Sequence, residues 1–124
     1  MRIVIYVHAV FIELPAFERH RDRYFDDERF ARLQIALMAN PSAGDVIEGT
    51  GGLRKLRIAD LRRGKGKRGG LRVIHYYWAG GPEFWLFTVY AKGELADLTA
   101  RQRAALKQLL KIELQIRRKH EPEA

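Results

Sequence analysis

The stretch Leu71-Arg-Val-Ile-His-Tyr-Tyr-Trp78-Ala-Gly80-Gly81-Pro82-Glu-Phe84-Trp-Leu-Phe-Thr-Val-Tyr90 decides the fold. Two runs rich in β-branched and aromatic residues, 71–78 and 84–90, flank a Gly-Gly-Pro turn, which predicts an antiparallel hairpin. Upstream, Gly49-Thr-Gly-Gly52 punctuates the chain and Leu53–Ile58 reads as a further strand, joined to the hairpin by a Gly/Lys/Arg loop over 62–70. Residues 3–7 read as a short N-terminal strand. Pro15 then marks a helix start, and a charged helix runs to about Tyr24. Asp26-Asp27-Glu28 sets acids at the positive end of a second helix, with an apolar face of Phe30, Leu33 and Leu37 beside Ala31, Ile35 and Met38. Asn40-Pro41 ends it.

Downstream of the hairpin, Thr99-Ala-Arg-Gln102 is a capping box. It opens a helix carrying Ala105, Leu106, Leu109, Leu110, Ile112 and Ile116, with Glu113 one turn before Arg117. The order β-αα-βββ-α predicts an α+β domain spanning 1–124: an N-terminal strand and helical hairpin packed on one face of a small antiparallel sheet, plus a C-terminal helix. A chain of 124 residues, 47% of them apolar, supports one core and not two. It holds no run of about 18 apolar residues, so no membrane span or membrane partner is expected. The opening Met1–His8 is too short for a signal peptide and lacks a small-residue cleavage site, so a cytoplasmic location is expected. The absence of cysteine removes disulfides, thiolate nucleophiles and Cys-ligated metals.

Charge is unevenly spread. Between Gly52 and Arg72 stand nine bases (Arg54, Lys55, Arg57, Arg62, Arg63, Lys65, Lys67, Arg68 and Arg72) against the single acid Asp60. That local excess equals the net +8 of the whole chain, so the rest sums to zero. Such a block attracts a polyanion, nucleic acid first. Gly64-Lys-Gly66-Lys-Arg-Gly69 matches the G-x-G-x-x-G pattern, but no apolar strand precedes it and no helix follows, so no nucleotide cofactor is expected. His8, His20, His75 and His120 are scattered without ligand spacing, and no metal is expected. The lone serine, Ser42 beside Pro41, offers no nucleophilic triad, and no carboxylate pair sits in an apolar setting.

Strand alternation narrows the search. Leu56 and Ile58 share one face, which leaves Lys55 and Arg57 on the other. Arg72, Ile74 and Tyr76 share a parity, as do Thr88, Tyr90 and Lys92 if the last strand runs that far. Where these faces coincide, Arg57, Arg72, Tyr90 and Lys92 converge on one open sheet surface with the 62–70 loop at its rim. Arginine and lysine bind phosphates there, and Tyr76 or Tyr90 can stack on unpaired bases. The same set suits metal-free RNA cleavage, in which the 2′-hydroxyl attacks its own phosphate and arginine stabilises the added charge. Lysines in a cationic cluster suit the proton transfers, because like charges disfavour their protonated form; Lys65, Lys67 and Lys92 are the candidates. The plainer alternative makes Tyr90 a core residue and Lys92 a strand-end solubiliser.

The segments Gly49–Arg57, Gly69–Trp78 and Val89-Tyr-Ala-Lys92 with Asp97-Leu-Thr99, preceded by Pro15-Ala-Phe17 and Asn40–Ile47, resemble the RelE/HigB superfamily of bacterial type II toxins in order and spacing. The resemblance covers about residues 10–110. It implies a RelE/ParE-like fold and a ribosome-dependent, metal-independent mRNA endonuclease that blocks translation. It also implies a cognate antitoxin, often of helix-turn-helix type. By motif position the catalytic set would be Arg57, Lys65, Lys67, Arg68, Arg72 and Lys92, with Lys65, Lys67 and Arg68 interchangeable within the glycine-rich loop. Arg54, Lys55, Arg62, Arg63, Tyr76 and Tyr90 would bind nucleic acid. The late catalytic tyrosine of some relatives has no counterpart after Lys92. Two other readings share the fold: a ParE-like gyrase poison and a non-catalytic RNA-binding protein.

Overall fold

A computed structural model of the chain describes residues 1–6, 9–60, 64, 66, 70–94 and 98–119. Among these, six strands form one sheet: β1 (Arg2–Tyr6), β2 (Ala9–Glu13), β3 (Asp45–Val46), β4 (Arg54–Ile58), β5 (Leu71–Trp78) and β6 (Glu83–Ala91), in the spatial order β1-β2-β6-β5-β4-β3. Three helices accompany them: α1 (Pro15–Tyr24), α2 (Asp27–Ala39) and α3 (Ala100–Lys119). The α+β class, the helical hairpin and the C-terminal helix are as the sequence indicates.

The central hairpin pairs β5 with β6 antiparallel, and its register shifts once, between Ile74 (opposite Thr88) and His75 (opposite Leu86). Phe87 is therefore the extra residue of a bulge in β6, and both strands keep large apolar side chains on both faces. Leu71, Val73 and Tyr77 with Phe84, Leu86 and Val89 meet Phe17, Phe25, Phe30, Leu33 and Leu37 of the α1–α2 hairpin and its connections. On the reverse face Ile74, Tyr76 and Trp78 with Trp85, Phe87 and Tyr90 meet Leu98, Leu106, Leu110 and Leu114. The helices thus lie on both faces, where one was expected. A sheet apolar on both sides is a middle layer and needs two covers.

Two strands went unforeseen. β2 pairs antiparallel with β1 and parallel with β6, so the sheet is mixed where an antiparallel one was expected. A four-residue apolar run at 9–12 carries no periodicity that separates it from a helix entry, and a parallel partner 70 residues away has no local signature. The two-residue β3 is too short to show any pattern.

Local signals at the helix ends behave as read. Pro15 opens α1, and the Asp26 carboxylate accepts from the Arg29 N–H at 2.8 Å. At α3, the Gln102 side chain accepts from the Thr99 N–H at 2.8 Å while Thr99 Oγ1 accepts from the Gln102 N–H at 3.1 Å. The face that α3 buries is narrower than its apolar residues: Leu106, Leu110 and Leu114 pack inward, whereas Leu109, Ile112 and Ile116 are exposed. Arg117 reaches Glu83 at 3.2 Å and lies over the Trp85 ring, which ties the end of α3 to the start of β6. Glu13, wholly buried, joins Arg2 of β1 (3.5 Å) and Arg21 of α1 (3.1 Å); burial pushes its carboxyl up to about 7 although the Arg2 charge pulls it down.

The root of the basic loop is a tight backbone crossing. A Cβ on Gly70 would collide with the carbonyl oxygen of Ile58 and lie 2.7 Å from that of Gly66. Gly70→Ala is therefore expected to lose about 1–3 kcal/mol of stability. Gly93→Ala, where nothing lies within 4 Å, should be near neutral in the same urea titration. Equal midpoints for the two variants would refute the crossing.

Candidate nucleic-acid interface

Three of the sequence-predicted residues form a row across the sheet. Arg57 of β4 stands opposite Arg72 of β5, and Arg72 stands opposite Tyr90 of β6. Register partners share a face, so alternation places all three on the side that α3 covers. Lys55 joins them there, opposite Ile74. The expected open surface is closed over much of its width. Arg72 is 6% exposed and Tyr90 9%; Tyr90 packs in one cluster with Leu98 and the α3 leucines, and one Arg72 guanidinium nitrogen donates to the Leu71 carbonyl at 3.3 Å. Tyr76 is half-buried with its ring against Trp85, centroids 5.3 Å apart.

The sheet surface remains accessible at its β4 margin. There a cleft of about 190 Å³ is lined by Asp45, Ile47, Glu48, Lys55, Arg57, Leu98 and Arg103. Arg103 comes from the first turn of α3, and its Nε and one terminal nitrogen both donate to the Leu98 carbonyl, at 3.4 and 3.3 Å. Asp45 lies directly opposite Lys55 across the β3–β4 ladder, a cross-strand pair of opposite charge. Three cations and two carboxylates thus surround a space suited to a phosphate and part of a ribose. The two guanidinium groups add the planar, two-pronged geometry that phosphate oxygens accept. Sequence reading missed Arg103, Asp45 and Glu48. The capping box did place Arg103 at the start of a helix, but where that helix docks is not a local property.

Two of the other predicted residues are described, and neither lines the cleft. Arg54 faces the α1–α2 side, opposite His75, and its guanidinium donates to the Gly44 carbonyl at 3.1 Å, so it takes no part in the cleft. Lys92 is exposed just beyond β6, and its backbone N–H donates to the Gly70 carbonyl at 3.1 Å, beside the root of the basic loop. Arg62, Arg63, Lys65, Lys67 and Arg68 lie outside the described residues, as do His8 and His120. Among the described residues no group of three or more His, Asp or Glu side chains gathers as a metal site would require, and no helix is long and apolar enough to cross a membrane.

No protein-family model matches this chain. The cleft must therefore be read from its own chemistry.

One buried group holds its wall in place. His75 is fully buried, and its Nε2–H donates to the Ala43 carbonyl at 2.7 Å, two residues before Asp45 enters β3. Burial holds its pKa below the ordinary 6.5; the Ala43 bond opposes this and the Arg54 charge adds to it. The unfolded chain binds a proton at this ring near 6.5, and the folded one only at lower pH. Stability from His75 is therefore present above 6.5 and is lost as pH falls through the folded value. Glu13 slopes the other way, its contribution being lost as pH rises through about 7. In urea titrations from about pH 8 down to about pH 5, the stability advantage of wild type over His75→Gln is expected to shrink with acidification, the Glu13 contribution cancelling in the difference. A constant difference would show that His75 does not titrate in this way.

Proposed function

We propose that this chain is a toxin of the RelE/HigB type: a metal-independent endoribonuclease that cuts mRNA on the translating ribosome and is neutralised by a small cognate antitoxin. The observation that carries this reading is the convergence of Arg57, Lys55 and Arg103 on one cleft. The cations lining the cleft outnumber its carboxylates three to two, which favours an anion, and RNA supplies its own nucleophile. When the 2′-oxygen attacks the adjacent phosphorus, the P–O2′ bond forms as the P–O5′ bond breaks, leaving a 2′,3′-cyclic phosphate and a 5′-hydroxyl. Arg57 and Arg103 would hold the non-bridging oxygens as charge builds on them, and the proton lost from the 2′-oxygen must be returned to the 5′-oxygen.

A second reading draws on a specific observation. Arg72 and Tyr90, both in the expected site set, are buried. That favours a protein of the same fold that only binds, whether RNA or gyrase.

Arg57 is exposed at the cleft, so Arg57→Ala should leave the fold intact while lowering cleavage by about 10²–10³, as loss of a transition-state charge donor does. Induced expression followed by primer extension on translated messages tests this. In-frame cuts made by wild type and lost in the variant support the nuclease. Growth arrest with intact messages would favour gyrase, and cutting undiminished in Arg57→Ala would remove the cleft from the chemistry.

A further inference from the structure

The cleft is followed along α3 by a separate groove. The two walls of the cleft run on in sequence, 45–48 giving way to Thr50 and Gly51 on one side, and Arg103 to Lys107 and Lys111 on the other. Together with Leu110, Leu114 and Gln115 these line the second groove, of about 300 Å³, along the same flank of α3. Arg103, Lys107 and Lys111 stand at i, i+4 and i+8, so each step climbs about 6 Å along the helix and turns by only about 40°. One cation per step forms a ridge, and the backbone of a single-stranded nucleic acid likewise presents one charge per nucleotide.

The facing wall is nearly bare of side chains. It consists of Thr50, which is buried, and Gly51, which takes a left-handed backbone angle (φ 81°) and is close enough to α3 that a Cβ would touch Leu110 at 3.6 Å. The loop is nonetheless fixed: the buried Thr50 donates its hydroxyl to the Ile47 carbonyl at 2.6 Å and accepts from the Leu53 N–H at 3.2 Å. A slot between a rigid backbone wall and a row of cations, floored by Leu110 and Leu114, suits an extended polyanion. A helical partner, about 10–12 Å across with its side chains, is poorly served by a groove of this size.

We propose that this flank of α3 is a phosphate track: Arg103, Lys107 and Lys111 seat the nucleotides that flank the one held in the cleft. The proposal rests on the nucleic-acid reading of the cleft and extends its footprint to α3, which carries seven bases against the single acid Glu113. Lys107 and Lys111 are exposed and Leu110 and Leu114 supply the packing, so neutralising the lysines should not unfold the helix. Arg101 is also exposed on α3, but lies about 200° of helical rotation away from Arg103 and lines neither groove.

The test is fluorescence anisotropy with a short fluorescein-labelled, 2′-O-methylated single-stranded RNA, which cannot be cleaved, titrated at increasing KCl. For the double variant Lys107→Ala/Lys111→Ala the slope of log affinity against log salt should become shallower by about 1.4, two phosphates at about 0.7 each. Arg101→Ala should leave the slope unchanged. Wild-type binding with an unaltered slope in the double variant would overturn the track while sparing the cleft, and equal losses in the double variant and Arg101→Ala would overturn it as well. Wild-type protein that does not bind RNA at all would remove the reading of the cleft itself. Preferential capture of polyglutamate through the two lysines would replace the track with an acidic protein partner.

Discussion

Everything on the α3 side of the molecule follows from the two-faced apolar character of the β5–β6 pair. Alternation along β5 sends Leu71, Val73 and Tyr77 one way and Ile74, Tyr76 and Trp78 the other. The Phe87 bulge preserves the same division in β6 on either side of the register shift. Leaving Trp85, Phe87 and Ile74 in water would forfeit about 1.5–3 kcal/mol for each large side chain. The α1–α2 hairpin satisfies one face. Only a second apolar element can satisfy the other, and α3 is that element.

The cover has consequences for chemistry. Once α3 lies over this face, with Leu98 at one end and Arg117 over Trp85 at the other, Tyr90 becomes an interior residue, and Arg72, beside it in the ladder, is buried too. A buried arginine holds its charge only with local partners, and such a residue supports the sheet more readily than it meets a substrate. The same docking brings Arg103 to the β4 margin and aligns Lys107 and Lys111 with the wall formed by Thr50 and Gly51. Burial thus withdraws one cation from the predicted surface and delivers three others to its edge.

Rigidity at this margin comes from small, separate devices. Thr50 braces the 47–53 loop, the His75 bond to Ala43 fixes the approach to β3, and the Leu98 carbonyl holds the Arg103 guanidinium. Each joins segments distant in sequence or closes a short loop. A cleft built this way presents its charges already oriented, so less conformational entropy remains to be lost when an anion arrives.

The sequence by itself determined the hairpin, the helix boundaries and the local charge, because turn glycines, capping residues and strand alternation act over a few neighbouring residues. Lys55 and Arg57 were legible as a pair facing away from Leu56 and Ile58 for the same reason, and the ladder to Arg72 and Tyr90 followed from parity. What parity cannot give is the layer above. Whether a strand face is solvent or core depends on where a helix further along the chain comes to rest, and that is set by the total apolar surface left uncovered. The tertiary structure alone therefore decided that Arg72 and Tyr90 are buried and that Arg103, Asp45 and Glu48 share a cleft. It also decided the parallel seat of β2 beside β6, a pairing that rewards burial between segments with no sequence relation to each other.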